Sequence, residues 1–127
     1  MHDVEHPGVP NTQWKKENPS LSDQYNGRSV AEKNSIDVAL QLLMEPCYEG
    51  LKVCLFPTPA DVSQFRRLVC KTVMATDIAD KQMSDLRRQR WTEQFDSESI
   101  TLSETEMEKR SEMFMECLIQ ASDVSHT

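Results

Sequence analysis

No stretch of this 127-residue chain holds the ~18 consecutive apolar residues that a bilayer span requires, and its first 30 residues lack the apolar run of a signal peptide. A cytoplasmic polypeptide with no membrane contact from this segment is expected. The four cysteines, Cys47, Cys54, Cys70 and Cys117, form no C-x-x-C pair, which excludes a zinc knuckle and a thioredoxin-like motif. Cys70 and Cys117 sit among apolar residues at helical spacing and are expected to be buried free thiols. Positive charge is also short: 14 Lys and Arg stand against 21 Asp and Glu, a net charge of −7. A protein that tracks nucleic-acid phosphates needs the opposite balance. The one basic region, residues 61–95 at +2, is too dilute for such a patch, and its Arg66, Arg67 and Lys71 read as a solvated helix face. Leu, Ile, Val and Phe number only 27, near the level at which a charged chain stops burying enough apolar surface to fold. The length suits one small domain or a piece of a larger one, with a core too thin to be self-sufficient.

What is present is helical punctuation. Alternating Val and Ile clusters, internal repeats and low-complexity segments are missing, so an all-α fold is expected. Residues 7–27 are too broken by proline and glycine for one long element, leaving a short helix over about 12–17. From Ser29 to Met44 the residues Val30, Ile36, Val38, Leu40, Leu42 and Leu43 form a broad apolar stripe that Pro46 closes. Thr58 caps a helix opening on Pro59, with Phe65, Leu68, Val69, Thr72, Val73 and Thr76 at spacings of three and four. A helix over about 79–95 turns Met83, Leu86, Trp91 and Phe95 inward, with Arg90 interrupting the face. After a polar loop over 96–103, Ser103 and Glu106 make a capping-box pattern. The helix beyond it has Met107, Phe114, Leu118 and Ala121 on its apolar face, and its acidic stretch 104–116 is expected to face outward.

Two of the three histidines lie in H-D-V-E-H-P-G at the N-terminus. Adjacent His2 and Asp3 offer an imidazole nitrogen and a carboxylate oxygen to one cation, a mixed set suited to zinc and other borderline divalent ions. Neighbouring helical residues point ~100° apart, so a shared ion needs this dipeptide at a turn, and Pro7-Gly8 supplies the break.

The pattern H-D-x-x-H-P-G-x-x-N, filled by His2, Asp3, His6, Pro7, Gly8 and Asn11, resembles the metal-binding signature of the class I 3′,5′-cyclic nucleotide phosphodiesterases. Six fixed letters recur by chance on the order of 10⁻⁸ per starting position. Tyr25-Asn26 with Ser29-Val30-x-Glu32 is similar to that family's Y-N-x-x-S-V-x-E, Ala75-Thr76-Asp77 to its A-T-D, and Ala121-Ser122-Asp123-Val124-Ser125 to its A-D-x-S region with one altered position. The resemblance implies an all-α, HD-type catalytic domain that hydrolyses cyclic AMP and/or cyclic GMP to 5′-monophosphates. His2, Asp3 and Asp123 would ligate a tightly held zinc, with Asp3 shared with a second ion, magnesium or manganese. Glu32, Thr76 and His6 would stand behind the waters of that second ion. The ions would lower the pKa of water at the site and neutralise charge on the phosphate oxygens.

Departures from the pattern are equally informative. Ser35 stands where the family has a histidine three residues after the glutamate, and it can hydrogen-bond a water or Glu32 but cannot carry a positive charge. His126 follows Asp123 closely, but a terminal exposed histidine is the simpler reading. The upstream H-N-x-x-H block, which supplies the general-acid histidine and a further ligand in the family, is not found in the sequence, nor are the purine-binding glutamine and aromatic clamp. Residues 1–127 are thus expected to be the central part of a longer catalytic domain, incomplete at both ends and inactive alone. Two alternatives remain: a broader HD-type phosphohydrolase, and a non-catalytic helical interaction module derived from the enzyme.

Overall fold

The computed structural model describes residues 2–95 and 103–125, and every regular element among them is helical. The chain divides into two compact units, Met1–Met74 and Ala75–Thr127.

In the first unit, the turn at residues 2–5 leads through Pro7-Gly8, with Gly8 at φ +71, into α1 (Asn11–Glu17). Next come α2 (Pro19–Gln24), α3 (Val30–Leu43), a 3₁₀ turn (Pro46–Tyr48), α4 (Glu49–Leu55) and α5 (Pro59–Ala75), whose last residue opens the second unit. α2 and α4 were not expected from the sequence. Both follow a proline read as a breaker, yet Pro19 occupies the first turn of α2 and Pro46 opens the 3₁₀ turn that leads into α4. Proline's fixed φ and missing N–H suit a helix start as well as a helix stop. Pro59 does the same for α5, where the expected Thr58 cap is reciprocal. The Thr58 N–H and hydroxyl donate to Asp61 Oδ2 at 2.8 and 2.7 Å, and the Asp61 N–H returns to Thr58 Oγ1 at 3.4 Å.

The core of this unit is where the two stripes foreseen in α3 and α5 meet. Ile36 and Leu40 of α3 pack with Val69 and Val73 of α5, and Phe65, Cys70 and Met74 extend the cluster. Phe65 also meets Phe56 edge to face, with ring centroids 4.9 Å apart. α4 leaves Leu51, Val53 and Leu55 exposed.

Tyr25, in the turn before α3, donates its hydroxyl to Asp37 Oδ2 at 2.8 Å. Burial of the phenol, then its bond to Asp37 and that carboxylate's charge, push its pKa up to about 12 from an ordinary 10. A phenol whose pKa is higher in the folded than in the unfolded chain lends stability that is whole below pH ~10 and lost as pH climbs towards 12. Tyr25→Phe should therefore flatten the alkaline limb of a stability profile recorded between pH 9 and 12. A parent chain whose limb matches that of the variant would show that Tyr25 does not govern it.

The second unit opens with two aspartate caps in succession. Asp77 Oδ1 accepts the N–H groups of Ala79 and Asp80, and Asp80 Oδ1 accepts that of Met83 at the start of α6 (Lys81–Phe95). α7 (Glu104–Val124) begins with the expected capping box: the Ser103 hydroxyl accepts the Glu106 N–H while the Glu106 carboxylate accepts from the Ser103 backbone. Those bonds to Ser103 hold the Glu106 pKa below the ordinary carboxylate value.

α6 and α7 are joined by an aromatic cluster in which Trp91 stacks on Phe95 at 4.3 Å and both meet Phe114 edge to face. Arg110 lies over the Phe95 ring at 4.9 Å. The buried face of α7 is nevertheless not the expected one. Met113 and Glu116 are buried, whereas Met107, Phe114, Leu118 and Ala121 are exposed, as are Leu86 of α6 and Cys117. Glu116, read as part of an outer acidic face, is 7% exposed and accepts Arg90 Nη2 at 2.9 Å. The arginine that seemed to interrupt α6 and the buried acid of α7 are thus one ion pair, which each residue makes tolerable for the other. The loop expected over 96–103 falls outside the described residues except for Ser103. No helix among the described residues is long and apolar enough to cross a membrane.

Candidate metal centre

His2 and Asp3 lie in the turn that precedes the Pro7-Gly8 bend, as the dipeptide requires if both side chains are to serve one ion. Their donor atoms, His2 Nε2 and Asp3 Oδ2, are 3.1 Å apart. That is the separation of an ordinary N···O hydrogen bond or ion pair, so the two side chains are in contact and both lie within reach of one cation. A nitrogen–oxygen donor set also fits zinc and its neighbours better than the all-oxygen shell of magnesium, which suits the carboxylate alone.

His6 is exposed, and its role is set by the bend. Its backbone N–H donates to the Asp3 carbonyl at 3.1 Å, and its ring Nδ1 accepts the Gly8 N–H at 3.1 Å. With Nδ1 occupied, Nε2 is the ring nitrogen left for a further partner. The left-handed φ of Gly8 brings its amide back to that ring, a conformation a side chain would strain.

Glu32 sits in the first turn of α3, buried, and accepts Asn11 Nδ2 at 2.8 Å through Oε2. Ser35, one turn along, is fully buried at 0% exposure and donates its hydroxyl to the Val4 carbonyl at 2.7 Å. The sequence offered a water or Glu32 as its partner. The serine instead fastens the turn carrying His2 and Asp3 to α3, a role open to a small hydroxyl and closed to a large imidazole.

In the second unit, Thr76 is half-buried between two anchored carbonyls. Gln120 Nε2 of α7 donates to the Ala75 carbonyl at 2.6 Å, and Arg87 Nη2 of α6 reaches the Asp77 carbonyl at 3.4 Å. Asp77 itself, buried, is occupied in capping the approach to α6. Asp123 lies half-buried in the last turn of α7, where the helix dipole disfavours a carboxylate. Gln120 and Arg87 were not singled out from the sequence. Only the three-residue spacing of Gln120 from Asp123 could have drawn attention to it, and that is an ordinary helical repeat. His126 lies outside the described residues.

Every regular element among the described residues is helical, and comparison with known proteins makes the class of this domain particular. The family profile of the 3′5′-cyclic nucleotide phosphodiesterases matches residues 1–127. The chain belongs to that family. It is 36% identical over 66% of its length to a Caenorhabditis elegans protein described as probable 3′,5′-cyclic-AMP phosphodiesterase pde-4, covering 12% of that protein. It is 34% identical over 62% of its length to the mouse dual specificity calcium/calmodulin-dependent 3′,5′-cyclic nucleotide phosphodiesterase 1C, covering 11% of it. The rat counterpart matches at the same identity and covers 10%. The chain therefore spans about a tenth of the length of these relatives.

Proposed function

We propose that residues 1–127 form the central part of a catalytic domain, and that the protein carrying them hydrolyses 3′,5′-cyclic nucleotides, cyclic AMP and/or cyclic GMP, to 5′-monophosphates in a metal-dependent reaction. The observation that supports the reading is that His2 and Asp3 stand side by side on one turn, their side chains in contact at 3.1 Å, in a chain that the family profile matches throughout. His2, Asp3 and Asp123 would hold the tighter ion, zinc, and Asp3 would also serve the second, magnesium or manganese. When bound, these ions supply Lewis acidity towards water and phosphate oxygens.

The chain's own residues do the rest. Glu32 and Thr76 would accept hydrogen bonds from waters of the second ion; Glu32 is held by Asn11, and Thr76 lies between the carbonyls that Gln120 and Arg87 anchor. His6, whose Nδ1 accepts the Gly8 N–H, would stand behind the waters of that ion with Glu32 and Thr76. The residue that protonates the leaving 3′ oxygen is not among these, so residues 1–127 alone are inactive.

The test pairs metal analysis with a cyclic nucleotide assay. The 127-residue chain should retain little zinc after dialysis and show no turnover. The complete protein should hydrolyse cyclic AMP or cyclic GMP and lose that activity in Asp3→Asn together with its metal. Clear turnover by the 127-residue chain, or an Asp3→Asn enzyme with normal metal and rate, would sink the assignment.

A further inference from the structure

One side-chain amide, that of Asn11, serves two partners on α3. Its Oδ1 accepts the Ala31 N–H at 2.9 Å while its Nδ2 donates to Glu32 Oε2 at 2.8 Å. The first bond is a helix cap delivered from 20 positions away. Ser29, which holds the cap position, has φ 45° and makes no cap bond with its side chain, so the first turn of α3 depends on Asn11 for this amide. The second bond is directional. Glu32 is 7% exposed and commits Oε2 to Asn11, which leaves Oε1 as the oxygen free to face elsewhere. Asn11 is also the residue on which α1 begins, directly after the His6-Pro7-Gly8 bend that follows His2 and Asp3.

We propose that Asn11 is a positioning residue that fixes the rotamer and the presented oxygen of Glu32 relative to the turn carrying His2 and Asp3. The inference rests on the reading of Glu32 as a residue that orders waters of the second ion. Asn11 touches neither substrate nor ion; it acts through Glu32. The two arms of its amide can be separated chemically. Asn11→Asp keeps an oxygen for the Ala31 N–H, since aspartate caps helices as well as asparagine does, but sets a carboxylate against that of Glu32. Asn11→Ala removes both arms. Asn11→Asp combined with Glu32→Gln restores the pair with donor and acceptor exchanged.

The experiment uses the complete protein with three readouts: the thermal midpoint, the carbon-13 carboxyl resonance of Glu32 identified by its loss in Glu32→Gln, and the Mn²⁺ concentration that halves the His2 ring-proton signal. Asn11→Asp should lower the midpoint by roughly 2–4 °C, and the exchanged pair should recover most of that loss. The Glu32 resonance should move in both single Asn11 variants. The Mn²⁺ requirement should rise about 10-fold in both, as when an outer partner of a metal site is removed. An Asn11→Asp chain that matches the parent in midpoint and Glu32 resonance, or an exchanged pair that recovers nothing, would overturn the proposal. A lowered midpoint with an unchanged Mn²⁺ requirement in both single variants would overturn it too, reducing Asn11 to a helix cap. Should Glu32→Gln leave the Mn²⁺ requirement at the parental value while the exchanged pair recovers the midpoint, the ion-facing reading of Glu32 fails and the Asn11–Glu32 pairing stands.

Discussion

In the complete protein, Asp123→Asn is expected to lower zinc content and turnover together, turnover by several orders of magnitude, while leaving the metal-free fold about as stable as that of the metal-free parent. The first half follows from the proposed ligation. A neutral amide replaces a carboxylate on the tight ion, and a site that loses its ion loses the Lewis acid on which the reaction depends. The second half follows from position. Asp123 occupies the last turn of α7, where a negative charge faces the negative end of the helix dipole at a cost of about 0.3–1 kcal/mol. Removing that charge removes the dipole cost while disabling the site. Asp37→Asn is the control. Asp37 accepts the Tyr25 hydroxyl, and asparagine retains an oxygen for that bond, so metal content and rate should stay near parental values. Equal losses in the two variants would point to general destabilisation. A normal Asp123→Asn enzyme would remove the C-terminal member of the proposed ligand set.

Ser35→His, which restores the residue found in the resembling family motif, is expected to destabilise the chain. Substitutions towards a family consensus usually stabilise. Here the side chain replaced has no solvent exposure and its hydroxyl is 2.7 Å from the Val4 carbonyl. An imidazole at this point overpacks a filled site, a change that costs about 1–3 kcal/mol. Losing the serine bond adds about 1 kcal/mol. Ser35→Ala isolates that last contribution and should cost about 1 kcal/mol alone. Denaturant titration of the parent and both variants gives the comparison. If Ser35→His melts with the parent, the turn at residues 2–5 has room to re-form around an imidazole, and Ser35 is not the fastener described.

The helices whose signals lie within a few neighbouring residues were legible from the order of residues alone. The α3 and α5 stripes, the Thr58–Asp61 start and the Ser103–Glu106 capping box depend on contacts no more than a turn or two away, so local chemistry determined them. So did the family, because H-D-x-x-H-P-G-x-x-N requires certain residue types at certain spacings whatever surrounds them. The prolines at 19 and 46 marked the limit of local reading, since the same ring can end one helix and begin the next. What only the tertiary structure decided were the partners of polar side chains far apart in sequence. Glu116 looked solvated until Arg90, 26 positions away, was found beside it, and the buried face of α7 turned accordingly. Ser35 chose Val4 over its neighbour Glu32 across 31 positions, Asn11 reached 21 positions to Glu32, and Gln120 reached 45 to Ala75. A buried polar group must find a partner or lose the free energy of its hydration, and that requirement names no partner in advance. Periodicity reports which side of a helix is apolar, whereas these pairings depend on where another helix carries its own unsatisfied donor or acceptor, which packing alone establishes.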